Sequence, residues 1–158
     1  MIMSKFSASV IVVSMFFLSS CSWDVQTPKF VIVNVLDKES FDDCHIKGSL
    51  HVPFENLKQY ALDHWNKDTT EIVLHCSNYL CTASGDGYTM LTKLGFKHVW
   101  AYEGGTAEAK QFGIPVVGAC QQPYLLNHQK PEQYTEKKSV AVISVENLKK
   151  KIEEFAIH

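Results

Sequence analysis

Short runs of β-branched and other apolar residues recur along the chain and predict the strands of a sheet. Phe30–Val35 and Glu71–His75 are dominated by apolar side chains, which is typical of strands that are buried on both faces. His98–Tyr102 is a third run of this kind, and Ser49–Val52 is a shorter one that Pro53 ends. We therefore predict a strand at each of these positions.

The segments between the predicted strands place apolar residues three and four positions apart, which indicates amphipathic helices. Helices are predicted at Glu55–Asn66, Thr82–Leu94 and Thr106–Phe112. Strands that alternate with helices along a chain favour a parallel sheet that is covered on both faces. We therefore expect an α/β fold with three layers, in which a mostly parallel central sheet lies between helices.

The C-terminal extension, residues 119–158, has a weaker pattern. Residues 119–138 are polar and contain two prolines, which fits either a surface loop that wraps the domain or a flexible segment. A strand is predicted at Ser139–Ile143, and Ser144 is a suitable N-cap for a final helix. The apolar stripe of that helix is expected to pack against the core, and it consists of Val145, Leu148, Ile152 and Phe155.

The N-terminus has the pattern of a targeting segment. Lys5 precedes the mostly apolar run Phe6–Leu18, which is shorter than the roughly 20 residues that span a bilayer. The run ends in Ser-Ser-Cys21, which resembles the lipobox of bacterial lipoproteins. Residues 1–20 are therefore predicted as a lipoprotein signal peptide, with an ordinary signal peptide followed by a coincidental cysteine as the alternative.

The lipobox resemblance implies that Cys21 becomes the lipid-carrying first residue of the mature protein. More than one acyl chain on this residue would anchor the protein firmly to a membrane. Residues 21–29 would then be a short tether before the domain. The residue after the cysteine is Ser22 rather than aspartate. In lipoproteins this pattern implies a location in the cell envelope, on the outer membrane and facing the periplasm.

The composition restricts the classes of function. The chain is 46% hydrophobic and 20% charged, as in ordinary globular domains. The formal net charge of −2 argues against a nucleic-acid-binding protein, which needs a basic surface. The sequence contains no arginine. It therefore cannot form the Cys-x5-Arg loop of cysteine phosphatases and similar arsenate reductases, in which arginine clamps the oxyanion through two hydrogen bonds.

The cysteines can be interpreted either as disulfide partners or as working thiols. Besides Cys21 the chain has Cys44, Cys76, Cys81 and Cys120. Outside the cytoplasm thiols tend to be oxidised, so that disulfides are expected, and four cysteines allow three pairings. A cysteine that works as a thiol would have to escape that oxidation.

Cys76 is the strongest candidate for chemistry, because it follows the predicted strand Glu71–His75 directly and a helix begins soon afterwards. Ligands of parallel α/β sheets bind at the carboxyl ends of the strands. The amides of the loop Ser77–Thr82 and the N-terminus of the next helix would stabilise a thiolate there, so the pKa of Cys76 is expected to fall. A thiolate in this position is suited to accept sulfane sulfur as a persulfide.

The stretch from residue 30 to residue 118 resembles a rhodanese domain. Four segments carry the resemblance, in the order and with the spacing of the family: Val33-Asn-Val-Leu with Phe41-Asp-Asp-Cys-His-Ile-Lys-Gly-Ser-Leu-His-Val-Pro53, Ile72-Val-Leu-His-Cys76, Leu94-Gly-Phe-Lys-His-Val99, and Tyr102-Glu-Gly-Gly105 with Phe112-Gly-Ile-Pro-Val116. The Cys-x4-Cys-x-Ala-Ser form of the loop is similar to a subgroup of the family. The resemblance covers most of the chain after the signal peptide.

The resemblance implies a sulfurtransferase, like thiosulfate sulfurtransferase, with Cys76 as the persulfide-forming nucleophile. Its partners would be a small sulfur donor and a thiol or cyanide acceptor, with neither a cofactor nor a metal ion. The adjacent pair Cys44 and His45 lacks the spacing of metal ligands, and His45 is expected to bond backbone groups instead. The substrate-binding loop would consist of Ser77, Asn78, Tyr79, Leu80, Cys81 and Thr82.

The sequence also departs from the family pattern. Asn34, Leu36 and Ala109 stand where family members usually have Asp, Arg and Trp, and Cys81 replaces a basic loop residue. A missing charged contact costs thiosulfate binding about 1.5–3 kcal/mol, so thiosulfate is not expected as the physiological donor.

Two hypotheses therefore remain for the loop. The first is a lipid-anchored sulfurtransferase that carries a persulfide on Cys76. The second is a non-catalytic binding module or a thiol-redox module, in which Cys76 and Cys81 cycle or stay paired. In the second case Cys81 would be a resolving thiol, whereas in the first it can be a small loop residue without chemistry. The sequence predicts no oligomeric state.

Overall fold

The structure is a computed structural model that describes residues 27–134 and 139–155. Within these residues the strands and helices follow one another in the order β1 Phe30–Asn34, α1 Lys38–Asp43, β2 His45–Ile46, β3 Leu50–His51, α2 Phe54–His64, β4 Glu71–His75, α3 Ala83–Lys93, β5 His98–Tyr102, α4 Gly105–Gln111, β6 Val116–Val117, a 3₁₀ helix Pro123–Leu126, and α5 Val145–Glu154.

The central sheet has the strand order β3-β1-β4-β5, and every pairing in it is parallel. Val33 lies opposite both Leu50 and Leu74, and Ile72 lies opposite Val99. These side chains belong to the apolar runs from which the strands were predicted. The prediction of a mostly parallel sheet is confirmed, although β3 has only two residues.

Helices cover both faces of the sheet and create two apolar clusters. On one face Leu57 of α2 and Leu91 of α3 pack with Ile72 and are fully buried. On the other face Leu148 of α5 packs with Ile32. The three-layer α/β fold is therefore confirmed. Truncating a leucine in such a position to alanine costs about 2–5 kcal/mol.

Gly87 explains why α3 tolerates a poor helix former. A Cβ atom at this position would lie 2.9 Å from Leu74 Cδ1 and 3.0 Å from Leu57 Cδ2. The glycine therefore lets α3 approach β4 and α2 closely, at a cost of about 1 kcal/mol in helix propensity. Because α3 begins right after the loop Ser77–Thr82, this contact also fixes the helix end that faces the loop.

The end of the extension belongs to the domain. Ser144 caps α5, and its Oγ accepts a hydrogen bond from Asn147 N at 3.3 Å. The strand predicted at Ser139–Ile143 is reduced to one parallel bridge, in which Ala101 bonds Ala141 and Ile143. It goes no further because the chain turns into α5 directly after Ile143.

Four short elements were not predicted. They are helix α1, strands β2 and β6, and the 3₁₀ helix Pro123–Leu126. The two strands pair antiparallel, with His45 opposite Val117. A disulfide between Cys44 and Cys120 lies beside this pair, and the Cys120 amide donates to Asp43 O at 2.8 Å. His45 has the expected structural role, since its Nδ1 lies 2.8 Å from a backbone oxygen of α1.

The predicted signal peptide 1–20 and the lipidation site Cys21 lie outside the described residues, as does most of the tether 21–29. Within residues 27–134 and 139–155, no helix has the length and apolar character that crossing a membrane requires.

Candidate functional site

Cys76 lies directly after β4, at the carboxyl end of a central strand. The loop Ser77–Thr82 leads from it to α3, as the sequence predicted. Helix α4 holds the start of this loop, because Thr106 N donates to Cys76 O and Ala107 N donates to Ser77 O, each at 3.0 Å. The site is therefore built from β4, the loop and the first turns of α3 and α4.

Gly105 allows α4 to approach Cys76. Its φ of +61° lies in the left-handed region, and a Cβ atom there would lie only 2.6 Å from Cys76 O. The sequence indicated a turn at this glycine but gave no sign of its contact with the Cys76 backbone. That contact joins residues 29 positions apart, so no local pattern shows it.

Asn78 organises the loop from within. Its side-chain oxygen accepts from Leu80 N and its backbone oxygen accepts from Cys81 N, both at 3.0 Å. Its side-chain amide donates to Tyr124 O in the 3₁₀ helix at 3.1 Å. Two of the amides that were expected to stabilise the Cys76 sulfur are therefore used inside the loop and do not bond that sulfur.

The Cys76 side chain is fully buried, with 0% of its surface exposed. Its Sγ lies 3.5 Å from Cys81 O and 3.6 Å from Ser84 Oγ. The hydrogen bond that the Cys76 thiol donates to the Cys81 sulfur, together with burial, raises the pKa of Cys76 well above its ordinary value. The expected fall in this pKa is therefore wrong, and Cys76 is a protonated thiol at neutral pH.

Cys81 instead has the environment that was expected for Cys76. Its side chain is partly exposed. The hydrogen bond from the Cys76 thiol, followed by those from the backbone amides of Ala83 and Ser77 and from the Ser77 hydroxyl, lowers the pKa of Cys81 to about 6. Cys81 is therefore mainly a thiolate at pH 7, and both cysteines are reduced.

His75 supplies no positive charge to the two sulfurs. Its ring is fully buried, and burial lowers its pKa to about 4. The ring Nδ1 lies 3.4 Å from both Cys76 O and Thr106 Oγ1. Since His75 is neutral at pH 7 and Ser77–Thr82 contains no basic residue, the thiolate depends on hydrogen-bond donors rather than on a neighbouring cation.

The remaining loop residues face away from the sulfurs. The Tyr79 hydroxyl donates to Glu108 of α4 at 2.7 Å, and the Thr82 hydroxyl donates to Asp86 at 2.9 Å. Leu80 is 69% exposed and forms the outer surface of the loop. The six predicted loop residues are thus brought together, but only Ser77 and Cys81 have polar groups at the sulfurs.

Ser84 and Tyr124 are site residues that the sequence did not single out. Ser84 is fully buried beside Cys76, and the Ala-Ser pair of the Cys-x4-Cys-x-Ala-Ser form was a signal for it. Tyr124 O binds the Asn78 side chain from the extension. No sequence signal indicated that contact, because it joins segments 46 residues apart.

The family model of the rhodanese-like domain matches residues 23–111, which is more than half of the chain. The chain belongs to the rhodanese-like domain family. No curated protein matches the sequence. Among solved structures, the rhodanese-like domain of the Alr3790 protein from Anabaena sp. is 29% identical, with 57% of this chain and 88% of that chain covered and a TM-score of 0.52.

A second solved structure, the BH2092 protein from Bacillus halodurans, shares the fold. It is 22% identical, with 58% of this chain and 66% of that chain covered and a TM-score of 0.52. The rhodanese-like match ends at residue 111, whereas the second apolar cluster of this chain includes Val145 and Leu148 of α5. The extension therefore completes the core of this rhodanese-like protein.

Proposed function

We propose that this rhodanese-like protein is a lipid-anchored sulfurtransferase that carries sulfane sulfur as a persulfide on Cys76. Membership of the family supports sulfurtransferase-type or related chemistry. The observation that carries the proposal is the contact of two reduced thiols at the end of β4, one of them with a lowered pKa. Such a pair provides both an ionised sulfur and a protected position for a bound sulfur atom.

The surroundings of Cys76 suit a stored persulfide. The outer sulfur of a persulfide carries negative charge and needs hydrogen-bond donors. The Ser84 hydroxyl lies 3.6 Å from Cys76 Sγ and is buried with it. The N-terminal end of α3 lies close by and has the partial positive charge of a helix N-terminus. Burial also keeps the stored sulfur away from solvent oxidants.

The loop favours a donor of low charge. Ser77–Thr82 contains no lysine and the neighbouring His75 is neutral, so that a dianion such as thiosulfate finds no cation here. A charged contact of that kind is worth about 1.5–3 kcal/mol. The proposed donor is a small organic persulfide, and the proposed acceptor is a thiol. The proposed lipid at Cys21 would hold this chemistry at the periplasmic side of the outer membrane.

The test is sulfur loading of the intact protein without oxygen. The protein is mixed with a small organic persulfide, capped with an alkylating agent and measured by mass spectrometry. We expect the mass of one added sulfur atom in the wild type, transfer of that atom to an added thiol, and loss of the transfer in Cys76→Ser. Transfer at the wild-type rate in Cys76→Ser would remove Cys76 from the mechanism.

The contact between Cys76 and Cys81 favours thiol-redox chemistry as a second candidate function. A thiolate that accepts a hydrogen bond from a neighbouring thiol is well placed to form a disulfide with it. This candidate predicts a loss of two hydrogen atoms in protein taken from the cell envelope. The sulfurtransferase predicts a gain of one sulfur atom in the same mass measurement.

A further inference from the structure

We propose that Cys81, and not Cys76, accepts sulfur from the donor, and that the sulfur atom then passes from Cys81 to Cys76. The inference rests on the proposed sulfur-carrying function and divides the work between the two cysteines. It assigns a chemical role to Cys81, which the sequence left between a resolving thiol and an inert loop residue.

The two cysteines differ in their access to solvent. Cys76 has no exposed surface, because the loop closes over it and the side chains of β4, α2 and α3 surround it. Cys81 is partly exposed, and it lies between Leu80 and Thr82, which are both exposed. A donor that arrives from solvent therefore meets the Cys81 sulfur, while attack by Cys76 would require the loop to open.

The two cysteines also differ in their ionisation, since the pKa of Cys81 is lowered and that of Cys76 is raised. The Cys81 sulfur accepts hydrogen bonds from the Cys76 thiol and from the backbone amides of Ala83 and Ser77. These donors are at the start of α3 and at the start of the loop, and both positions are fixed by contacts within the fold. The thiolate is the form of cysteine that attacks sulfur, so the group that is reachable is also the group that is reactive.

The two steps balance without an added oxidant or reductant. In the first, the Cys81 thiolate attacks the outer sulfur of a donor R–S–SH, the S–S bond of the donor breaks, and R–S⁻ leaves with the electron pair. In the second, the Cys76 sulfur attacks the outer sulfur of the Cys81 persulfide. The bond from Cys81 to that sulfur breaks, and Cys81 leaves with the electron pair and accepts the Cys76 proton.

The direction of transfer follows from the same contacts. A thiol of low pKa is the better leaving group in sulfur exchange, and the hydrogen-bond donors around Cys81 make it such a group. The Cys76 thiol donates to the backbone oxygen of Cys81 at 3.5 Å, so its proton already lies beside the residue whose sulfur must accept it. The competing reaction is attack of Cys76 on the inner sulfur, which would give a Cys76–Cys81 disulfide and release hydrosulfide.

The experiment follows the sulfur atom over time in wild type, Cys81→Ser and Cys76→Ser. Loading with a small organic persulfide is stopped with an alkylating agent, and cleavage after Tyr79 or Leu80 separates the two cysteines into different peptides. Thr92→Ser, at the far end of α3, is the matched control because its hydroxyl bonds only within the helix. Thermal unfolding of each variant checks that it is folded.

We expect sulfur on the Cys81 peptide of the wild type first and on the Cys76 peptide afterwards. Cys76→Ser should still load Cys81 and hold the sulfur there, and its loading rate should fall as far as the pKa of Cys81 rises without the hydrogen bond from the Cys76 thiol. Cys81→Ser should load about tenfold more slowly or worse, because a protonated, buried thiol must react instead.

Two results would overturn the inference. One is loading of Cys76 at the wild-type rate in Cys81→Ser, which would leave the proposed function intact. The other is a Cys76–Cys81 disulfide with hydrosulfide in the first turnover of the wild type. Absence of added sulfur from every variant would instead refute the proposed function itself.

Discussion

Removal of the Cys44–Cys120 disulfide should cost this protein about 4.5 kcal/mol of its free energy of unfolding. The two cysteines are 76 residues apart, and the figure follows from the chain entropy that closing such a loop removes from the unfolded state. The folded state should change little in Cys44→Ala/Cys120→Ala. Cys120 N would still donate to Asp43 O, and the Asp43 carboxylate would still accept from Gln121 N at 3.0 Å.

The measurement is urea unfolding followed by the fluorescence of the buried Trp65. With a slope of about 1–3 kcal/mol per molar urea, the midpoint should fall by roughly 2 M. A reductant should lower the wild-type midpoint by the same amount and leave that of the double variant unchanged, because the other described cysteines are already reduced. A loss below about 1 kcal/mol would refute the entropic reasoning.

Four further predictions concern the site and the N-terminus. His75 has a pKa of about 4 in the folded protein against 6.5 in the unfolded chain. Its neutral ring therefore contributes about 3 kcal/mol to the free energy of unfolding above pH 6.5, and this contribution is lost as the pH falls towards 4. Urea unfolding of His75→Gln should lack that part of the pH dependence. Alkylation of Cys81 by iodoacetamide should rise with pH around a midpoint near 6, and a midpoint above 8 would contradict the assigned thiolate. Gly105→Ala should slow sulfur loading, because its Cβ would meet Cys76 O at 2.6 Å; Gly113→Ala, with a φ of +75° and open space around it, should cost only about 1–2 kcal/mol in thermal unfolding and leave loading unchanged. Cys21→Ala should move the protein from the membrane fraction to the soluble fraction on immunoblots, and retention in the membrane would count against the lipid anchor.

The sheet could be predicted because burial on both faces requires a continuous run of apolar residues, which is visible in the sequence. The bounds of β4 and β5 agree with the predicted runs, since a parallel strand between two helical layers must be apolar along most of its length. The pairing of Cys44 with Cys120 could not be predicted. It depends on two-residue strands, β2 and β6, which are too short to show any period.

The position of the loop Ser77–Thr82 could be predicted, but its internal electrostatics could not. A cysteine after a buried strand and before a helix indicated where the candidate site lies. Which of Cys76 and Cys81 is ionised depends on where the amides point. The loop between these amides is held by Asn78, whose side chain bonds both Leu80 and the distant Tyr124. Hydrogen bonds of this kind are decided by tertiary packing and leave no pattern in the sequence.

The hydrogen bonds between Ala101 and the segment Ala141–Ile143 have a consequence for how the protein can be divided. They occupy part of the outer side of β5, and α5 then covers the apolar face next to it. A fragment cut at residue 111, where the family match stops, would present an unpaired strand and a bare apolar surface to solvent, which is the combination that drives aggregation. We therefore expect a piece that runs through α5 to stay soluble where one cut at the family boundary aggregates, so the family boundary is a poor choice for expressing or transplanting the domain.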